Sequence, residues 1–259
     1  MKSAEKPKKE RLHTLDTIRG LAILGMFFIH VSFFIPDILG VDLPYEGSFG
    51  YEMFCQAVRI TFIFLSGFCC RMSRNPLKRG LIVSLCGLII TVVTLFVNPE
   101  EPIIFGVLTL IGASMLLSTL FRNVIRAKNA PAFFFVFLAL FLLTVRIHYG
   151  YIGIYAHPIV HLPKVWYQAP KPLCYLTAFF GIPGKGFFSS DYFPLIPWFF
   201  IFMSGYSLKA WIFEKIKEKK FMKFRWEPVS FMGRYSLWVY FIHLPVILGI
   251  LYLISYICR

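Results

Sequence analysis

The sequence predicts an all-α fold, a polytopic membrane helix bundle of about seven transmembrane helices with the N-terminus cytoplasmic and the C-terminus outside. Three observations carry that prediction. Of 259 residues, 58% are hydrophobic and only 15% charged, and mean hydropathy is +0.68, more apolar surface than a soluble core can use. Seven apolar runs are each long enough to cross ~30 Å of hydrocarbon. Cations are segregated, with 21 of the 27 Lys and Arg in the N-terminal tail, in the connections near 71–79, 122–128 and 214–225, and at the adjoining helix ends.

The runs lie near residues 17–39, 52–70, 80–97, 103–121, 131–149, 191–213 and 229–257. By the positive-inside rule the basic connections are cytoplasmic. The first run leaves the basic tail, the second returns to the 71–79 connection, and the third leaves it again. The fourth returns to 122–128, and the fifth leads out to a long loop, Gly150 to Ser190, rich in Pro and aromatics. The sixth returns to a basic loop, Glu214 to Trp226, and the seventh leads out. Lys164, Lys171, Lys185 and Arg259 fall on the outer side, and Arg59 and Arg146 inside spans. The net charge of +14 is therefore topology and implies no nucleic-acid partner.

A cleaved signal peptide over residues 1–39 is excluded by the length of the run, by His30 within it, and by the lack of a small-residue cleavage site. The six cysteines, at 55, 69, 70, 86, 174 and 258, lie mostly within spans, where Cys acts as a small hydrophobe. Neither a disulfide framework nor a metal site is expected from them. Residues 1–11 read as a cytoplasmic basic tail and 12–259 as one membrane domain. The basic loop reads as a retention signal and a contact with lipid headgroups. The outer loop is too apolar for a solvated tether and is expected to cap the bundle or re-enter it.

Two short repeats stand out. Phe62-Ile63-Phe64-Leu65-Ser66-Gly67 in the second span recurs as Phe200-Ile201-Phe202-Met203-Ser204-Gly205 in the sixth, and Phe28-Ile29-His30 in the first recurs as Phe241-Ile242-His243 in the seventh. Chance is one explanation in a chain with 30 Phe. The other is that Ser66, Gly67, Ser204 and Gly205 line two sides of one channel, where small side chains allow close approach.

An ionisable group in hydrocarbon costs several kcal/mol, so His30, midway along the first run, marks a candidate site. At ~1.5 Å per residue, His30 lies ~20 Å from the cytoplasmic end of its run and His243 about as far from Val229. Arg59, Arg146 and His148 reach similar or more external levels, with Asp37 and Asp191 at outer ends of spans. A shared hydrated cavity explains this economically. Arg19, Met26, His30 and Asp37 share one face of the first helix, while Ser236, Tyr240 and His243 share a face of the seventh with Arg234 opposite. His30 is either a general base or a histidine bonded within the bundle. Arg59 neutralises Asp37, holds an anionic intermediate, or closes a structural ion pair. His148, His157 and His161 have metal-like spacing, but Pro158 and the lack of an acidic or Cys partner argue against a metal.

Arg11-x-x-x-Leu15-Asp16-x-x-Arg19-Gly20 followed by His30 resembles the opening of the catalytic domain of heparan-α-glucosaminide N-acetyltransferase and its bacterial relatives. The resemblance continues through Phe64-Leu65-Ser66-Gly67, through Phe105-Gly106-Val107-Leu108 with Ile111-Gly112, and through Asp191-Tyr192-Phe193-Pro194-Leu195-Ile196-Pro197-Trp198. It closes with Gly233-Arg234-Tyr235-Ser236-Leu237 and Tyr240-Phe241-Ile242-His243-Leu244-Pro245. This chain is much shorter than the animal enzyme, lacks its large luminal domain and has fewer helices. The connection Asp37 to Tyr51 holds no histidine, although a functional histidine follows that helix in the animal enzyme, so that role is carried onto no residue here.

The resemblance implies a transmembrane acyltransferase in the cytoplasmic membrane, taking acetyl-CoA from the basic side and modifying a sugar or envelope glycan on the other. Arg19, Arg71, Arg74 and Arg234 would meet the coenzyme phosphates, and the pantetheine arm would pass Ser66, Gly67, Ser204 and Gly205 toward His30 and His243. In that scheme His30 takes the acceptor proton, Arg59 steadies the developing charge, Asp37 or Asp191 orients the acceptor, and His243 shares or replaces the base. Transfer is direct or passes through an acyl-histidine. A homodimer is implied by resemblance alone. The rival from another class is a proton-coupled transporter, whose expected broken helices are weakly represented. A non-catalytic scaffold leaves the shared depth of the polar groups unexplained.

Overall fold

The computed structural model describes residues 13–154 and 157–258; the tail expected over 1–11 lies outside the described residues. Helices dominate it. Helix α1 (His13–Leu39) carries Pro36 in its last turn, where the missing N–H removes a single hydrogen bond. Helix α2 (Phe49–Cys70) follows a short connection. The start of α3 (Pro76–Val97) is fixed by Pro76 at the first position and by Asn75, whose side chain accepts from the Lys78 N–H at 3.2 Å.

The fourth apolar run is shorter as a helix than as a run of residues. Helix α4 spans Val107–Ser118 and ends in a 3-10 turn, Thr119–Phe121. Phe105 has φ +59° and Gly106 is extended, so the helix cannot begin before Val107. Ahead of it, Ile103 and Ile104 donate their N–H groups to Thr94 Oγ1 at 3.0 Å and Ser189 Oγ at 2.9 Å, which ties this extended stretch to its neighbours. Six helices among the described residues are long and apolar enough to cross a membrane. The twelve residues of α4 rise only ~18 Å.

Helix α5 (Ala130–Thr144) ends in a turn, Ile147–Tyr149. The long connection that follows forms a two-stranded antiparallel hairpin, β1 (Tyr151–Ile154) with β2 (His157–His161), and a short helix α6 (Leu173–Phe180). Its middle packs inward: Cys174 and Ala178 are fully buried, and Tyr192 donates its hydroxyl to the Ala178 carbonyl. Burial also raises the pKa of Tyr167, whose hydroxyl donates to the Ile147 carbonyl. Helix α7 (Leu195–Ile216) is regular only after Ile196. The seventh run is broken at Tyr235 (φ −101°, ψ 26°) into α8 (Glu227–Arg234) and α9 (Ser236–Ile257). Measured from Ser236, His243 is ~10 Å along its helix, half the distance expected from Val229.

The described chain forms two compact units, residues 13–58 with 214–258, and residues 59–213. In the first, α1 crosses α8 so closely that a Cβ on Gly20 would overlap the Val229 carbonyl, and one on Gly233 the Asp16 carbonyl. Small residues at a helix crossing are how apolar helices gain contact where no hydrophobic drive exists between them. Thr17 and Ser230 share a buried hydroxyl pair at 3.1 Å in the same crossing. In the second unit α3 meets α4 through Gly87 against Thr109 and Gly112 against Ser84. Leu81, Leu85, Leu88 and Phe96 on α3 are exposed, as a lipid-facing surface requires.

Candidate active site

In the first unit, the two sequence-predicted histidines come together. The rings of His30 on α1 and His243 on α9 have centroids 5.0 Å apart, and Phe27 stands edge-on to His243 at 5.3 Å. His243 is buried and His30 half-buried. The ring nitrogen Nδ1 of His243 lies on the Tyr240 carbonyl, one turn back. A carbonyl can only accept, so Nδ1 carries the proton and the basic lone pair of the neutral ring is on Nε2. The sequence placed Tyr240 on the face of His243 but held no sign that its backbone sets the tautomer.

Toward the start of α1, Arg19 lies 3.6 Å from Asp16 and donates to the Gly233 carbonyl at 3.2 Å. Its cation thus closes the α1–α8 crossing. Arg234 follows in the last turn of α8, and its Nε is buried with no hydrogen-bond partner among the described residues. Asp37 is exposed near the other end of α1, beyond Pro36.

In the second unit, Ser66, Gly67, Ser204 and Gly205 are also brought together, but as a helix crossing. A Cβ on Gly67 would overlap the Phe202 carbonyl and one on Gly205 the Phe64 carbonyl. Backbone fills the space between α2 and α7 at this level. Ser66 and Ser204 turn their hydroxyls back to Phe62 and Phe200 at 2.8 and 3.0 Å. Arg59 is half-buried with its guanidinium 5.9 Å from the centroid of Phe193. Asp191 lies beside Gly106 at the start of α4, where a Cβ would sit 3.5 Å from its carboxylate.

Arg71 and Arg74, paired by the sequence as coenzyme ligands, have different surroundings. Arg74 is exposed. Arg71 donates to the Tyr206 hydroxyl at 2.8 Å and to the Ile125 carbonyl at 2.6 Å, with its guanidinium 4.7 Å from the Tyr206 ring centroid. A planar fork with that many partners clamps the turn after α4 to α7. Tyr206 carried no mark in the sequence, because an aromatic residue in an apolar run looks like packing. Among the described residues no group of three or more His, Cys, Asp or Glu could hold a metal ion; His157 and His161 are exposed on β2.

Six helices long and apolar enough to cross a membrane, with two histidine rings in contact inside one helical unit, define a polytopic membrane protein. The family model described as heparan-alpha-glucosaminide N-acetyltransferase, catalytic, matches residues 11–245. The chain belongs to that family, and so to a family of membrane acetyltransferases. The matched span begins and ends on the first and last motif residues, Arg11 and Pro245. No curated protein and no solved structure matches it significantly.

Proposed function

We propose that the protein moves an acyl group, acetyl above all, from cytoplasmic acyl-CoA to a hydroxyl or amine of a sugar or envelope glycan on the outer side of the cytoplasmic membrane. The observation that carries this reading is the pairing of His30 with His243 in a chain of this family. Two neighbouring imidazoles can take a proton and pass it on, which is what the attack of a hydroxyl or amine on a thioester needs.

In the reaction, one imidazole removes the acceptor proton as the acceptor oxygen or nitrogen bonds to the thioester carbonyl carbon. The carbon–sulfur bond then breaks, and the departing thiolate receives a proton from the imidazolium. His30 is the first base, and His243, with Nε2 basic, shares or replaces it. The roles of Arg59 on the developing oxyanion and of Asp37 or Asp191 on the acceptor rest on the sequence. Arg19, Arg71, Arg74 and Arg234 are assigned to the coenzyme phosphates, an assignment that rests on the sequence. Ser66, Gly67, Ser204 and Gly205 enter as a wall beside the pantetheine path.

The test is binding of labelled acetyl-CoA to the purified protein in nanodiscs, with competition by free coenzyme A and with thiol release followed over time. Saturable, competed binding is expected. Folded protein that shows no binding at millimolar ligand would overturn the reading in favour of a transporter, to be examined by flux.

A further inference from the structure

The segment between α7 and α8 has no part in the proposed chemistry, yet its side chains follow a definite pattern. Between Glu214 and Glu227 the chain carries six cations, Lys215, Lys217, Lys219, Lys220, Lys223 and Arg225, against three carboxylates. Two of those carboxylates are already paired, Glu214 with Lys217 at 2.8 Å and Glu227 with Arg225. Positive charge is therefore in excess on a short stretch of surface.

Aromatic rings alternate with those cations. Phe221, Phe224 and Trp226 are exposed to 57%, 59% and 52%, while Met222 between them is buried, with 2% exposure. Phe231, one turn into α8, is exposed as well. The segment is also held in shape. Residues Lys220–Lys223 form a 3-10 turn, the Thr14 hydroxyl lies on the carbonyls of Phe221 and Phe224, and the Trp226 N–H reaches Thr17 Oγ1 at 3.5 Å. An outward row of rings fixed in this way does not fold into a local core.

Together with α8 the segment joins a helix ending at Ile216 to one beginning at Ser236, both long and apolar enough to span a bilayer, so its natural surroundings are the headgroup layer. Tryptophan favours that layer because it offers both an apolar body and a polar N–H, and phenylalanine buries its ring at the boundary between headgroups and acyl chains. Clustered Lys and Arg at the same level gain about 1 kcal/mol each from an anionic leaflet. We infer that residues 219–226, with Phe231, form a binding surface for anionic phospholipid headgroups, with rings in the interface and cations on lipid phosphate. A soluble phosphate would satisfy the cations but leave the rings in water. The proposal is independent of the acyl-transfer reading.

The test uses the full chain in nanodiscs of phosphatidylcholine alone and of phosphatidylcholine mixed with phosphatidylglycerol, reading the thermal unfolding midpoint in each. Wild-type protein is expected to gain several degrees in the anionic discs, with the gain shrinking as salt is raised. The K219Q/K220Q/K223Q variant should lose most of that gain, K219R/K220R/K223R should keep it, and F221S/F224S should reduce it. An undiminished gain in the glutamine variant, or an equal gain in phosphatidylcholine discs given only inorganic phosphate, would overturn the proposal. Should the glutamine variant fail to assemble, wild-type protein alone decides: a gain unaffected by salt or reproduced by inorganic phosphate sinks the idea.

Discussion

Gly67 lies against the carbonyl of Phe202, and Gly205, three residues further along α7, lies against the carbonyl of Phe64, three residues before Gly67. The contact is reciprocal, and two hexapeptides that differ only as Leu65 and Met203 make it. The shorter repeat behaves alike within its own unit, since His30 of Phe28-Ile29-His30 meets His243 of Phe241-Ile242-His243. In both cases a motif faces its own copy, so the repeats mark where helices cross.

Replacing either glycine by alanine should therefore act on folding before it acts on chemistry. The new methyl group meets backbone, which cannot rotate aside, and α2 and α7 must separate. Overpacking of this kind costs about 1–3 kcal/mol, and Gly67→Ala or Gly205→Ala is expected at the upper end. Thermal unfolding of the purified variants in one detergent checks it. Midpoints equal to wild type would mean that the helices do not meet as closely as described.

The histidine pair permits a sharper substitution than alanine. In His243→Asn the side-chain amide can still donate to the Tyr240 carbonyl but offers no basic nitrogen where Nε2 lies. The variant should fold and bind coenzyme A, and lose turnover by roughly 10²–10⁴-fold, the usual contribution of a general base. His30→Ala should likewise abolish turnover and leave coenzyme A binding largely intact. If His30→Ala turns over like wild type while His243→Asn does not, the base is His243 alone.

Much of this was legible in the residues. The apolar runs at 17–39, 52–70 and 80–97 became α1, α2 and α3, because a hydrocarbon-length run with no breaker in its middle has few other solutions. Where the reading failed, local backbone decided. Phe105 adopts a left-handed conformation that its residue type does not announce, which shortened the fourth run to α4. Tyr235 breaks the seventh run without Pro or Gly at that position. The pairing of His30 with His243 survived an error of about ten ångströms in the depth assigned to His243, since two polar groups in apolar surroundings seek one another whatever the boundaries. The clamp by Arg71 was hidden because its partners, the Tyr206 hydroxyl and the Ile125 carbonyl, come from distant parts of the chain.

That clamp separates two arginines that the sequence treats alike. Arg71→Lys keeps the charge but cannot reach the Tyr206 hydroxyl and the Ile125 carbonyl together. Hydrogen bonds from a charged donor contribute about 1.5–3 kcal/mol, so Arg71→Lys should lower the unfolding midpoint by several degrees. Exposed Arg74 should behave oppositely: Arg74→Ala is expected to weaken coenzyme A binding with the midpoint unchanged. Measuring Kd and midpoint on both variants separates the two, and an unaltered midpoint for Arg71→Lys would mean that the clamp adds little to the fold.

The crossing of α1 and α8 offers a test in which two losses should not add. Thr17 and Ser230 hold each other's hydroxyls at 3.1 Å inside a contact sealed by Gly20 and Gly233. Thr17→Val leaves the Ser230 hydroxyl buried without that partner, and Ser230→Ala does the same to Thr17, although Thr17 keeps its bond to the His13 carbonyl at 3.0 Å. Leaving a buried hydroxyl short of a partner costs about 1–3 kcal/mol, so Thr17→Val should be the more damaging of the two. The double variant has no stranded hydroxyl at this position and should be destabilised by less than the sum of the singles, with a coupling of about 0.5–3 kcal/mol. Unfolding of the four proteins under one condition gives that coupling directly, and strict additivity would mean that the two hydroxyls do not bond across the crossing.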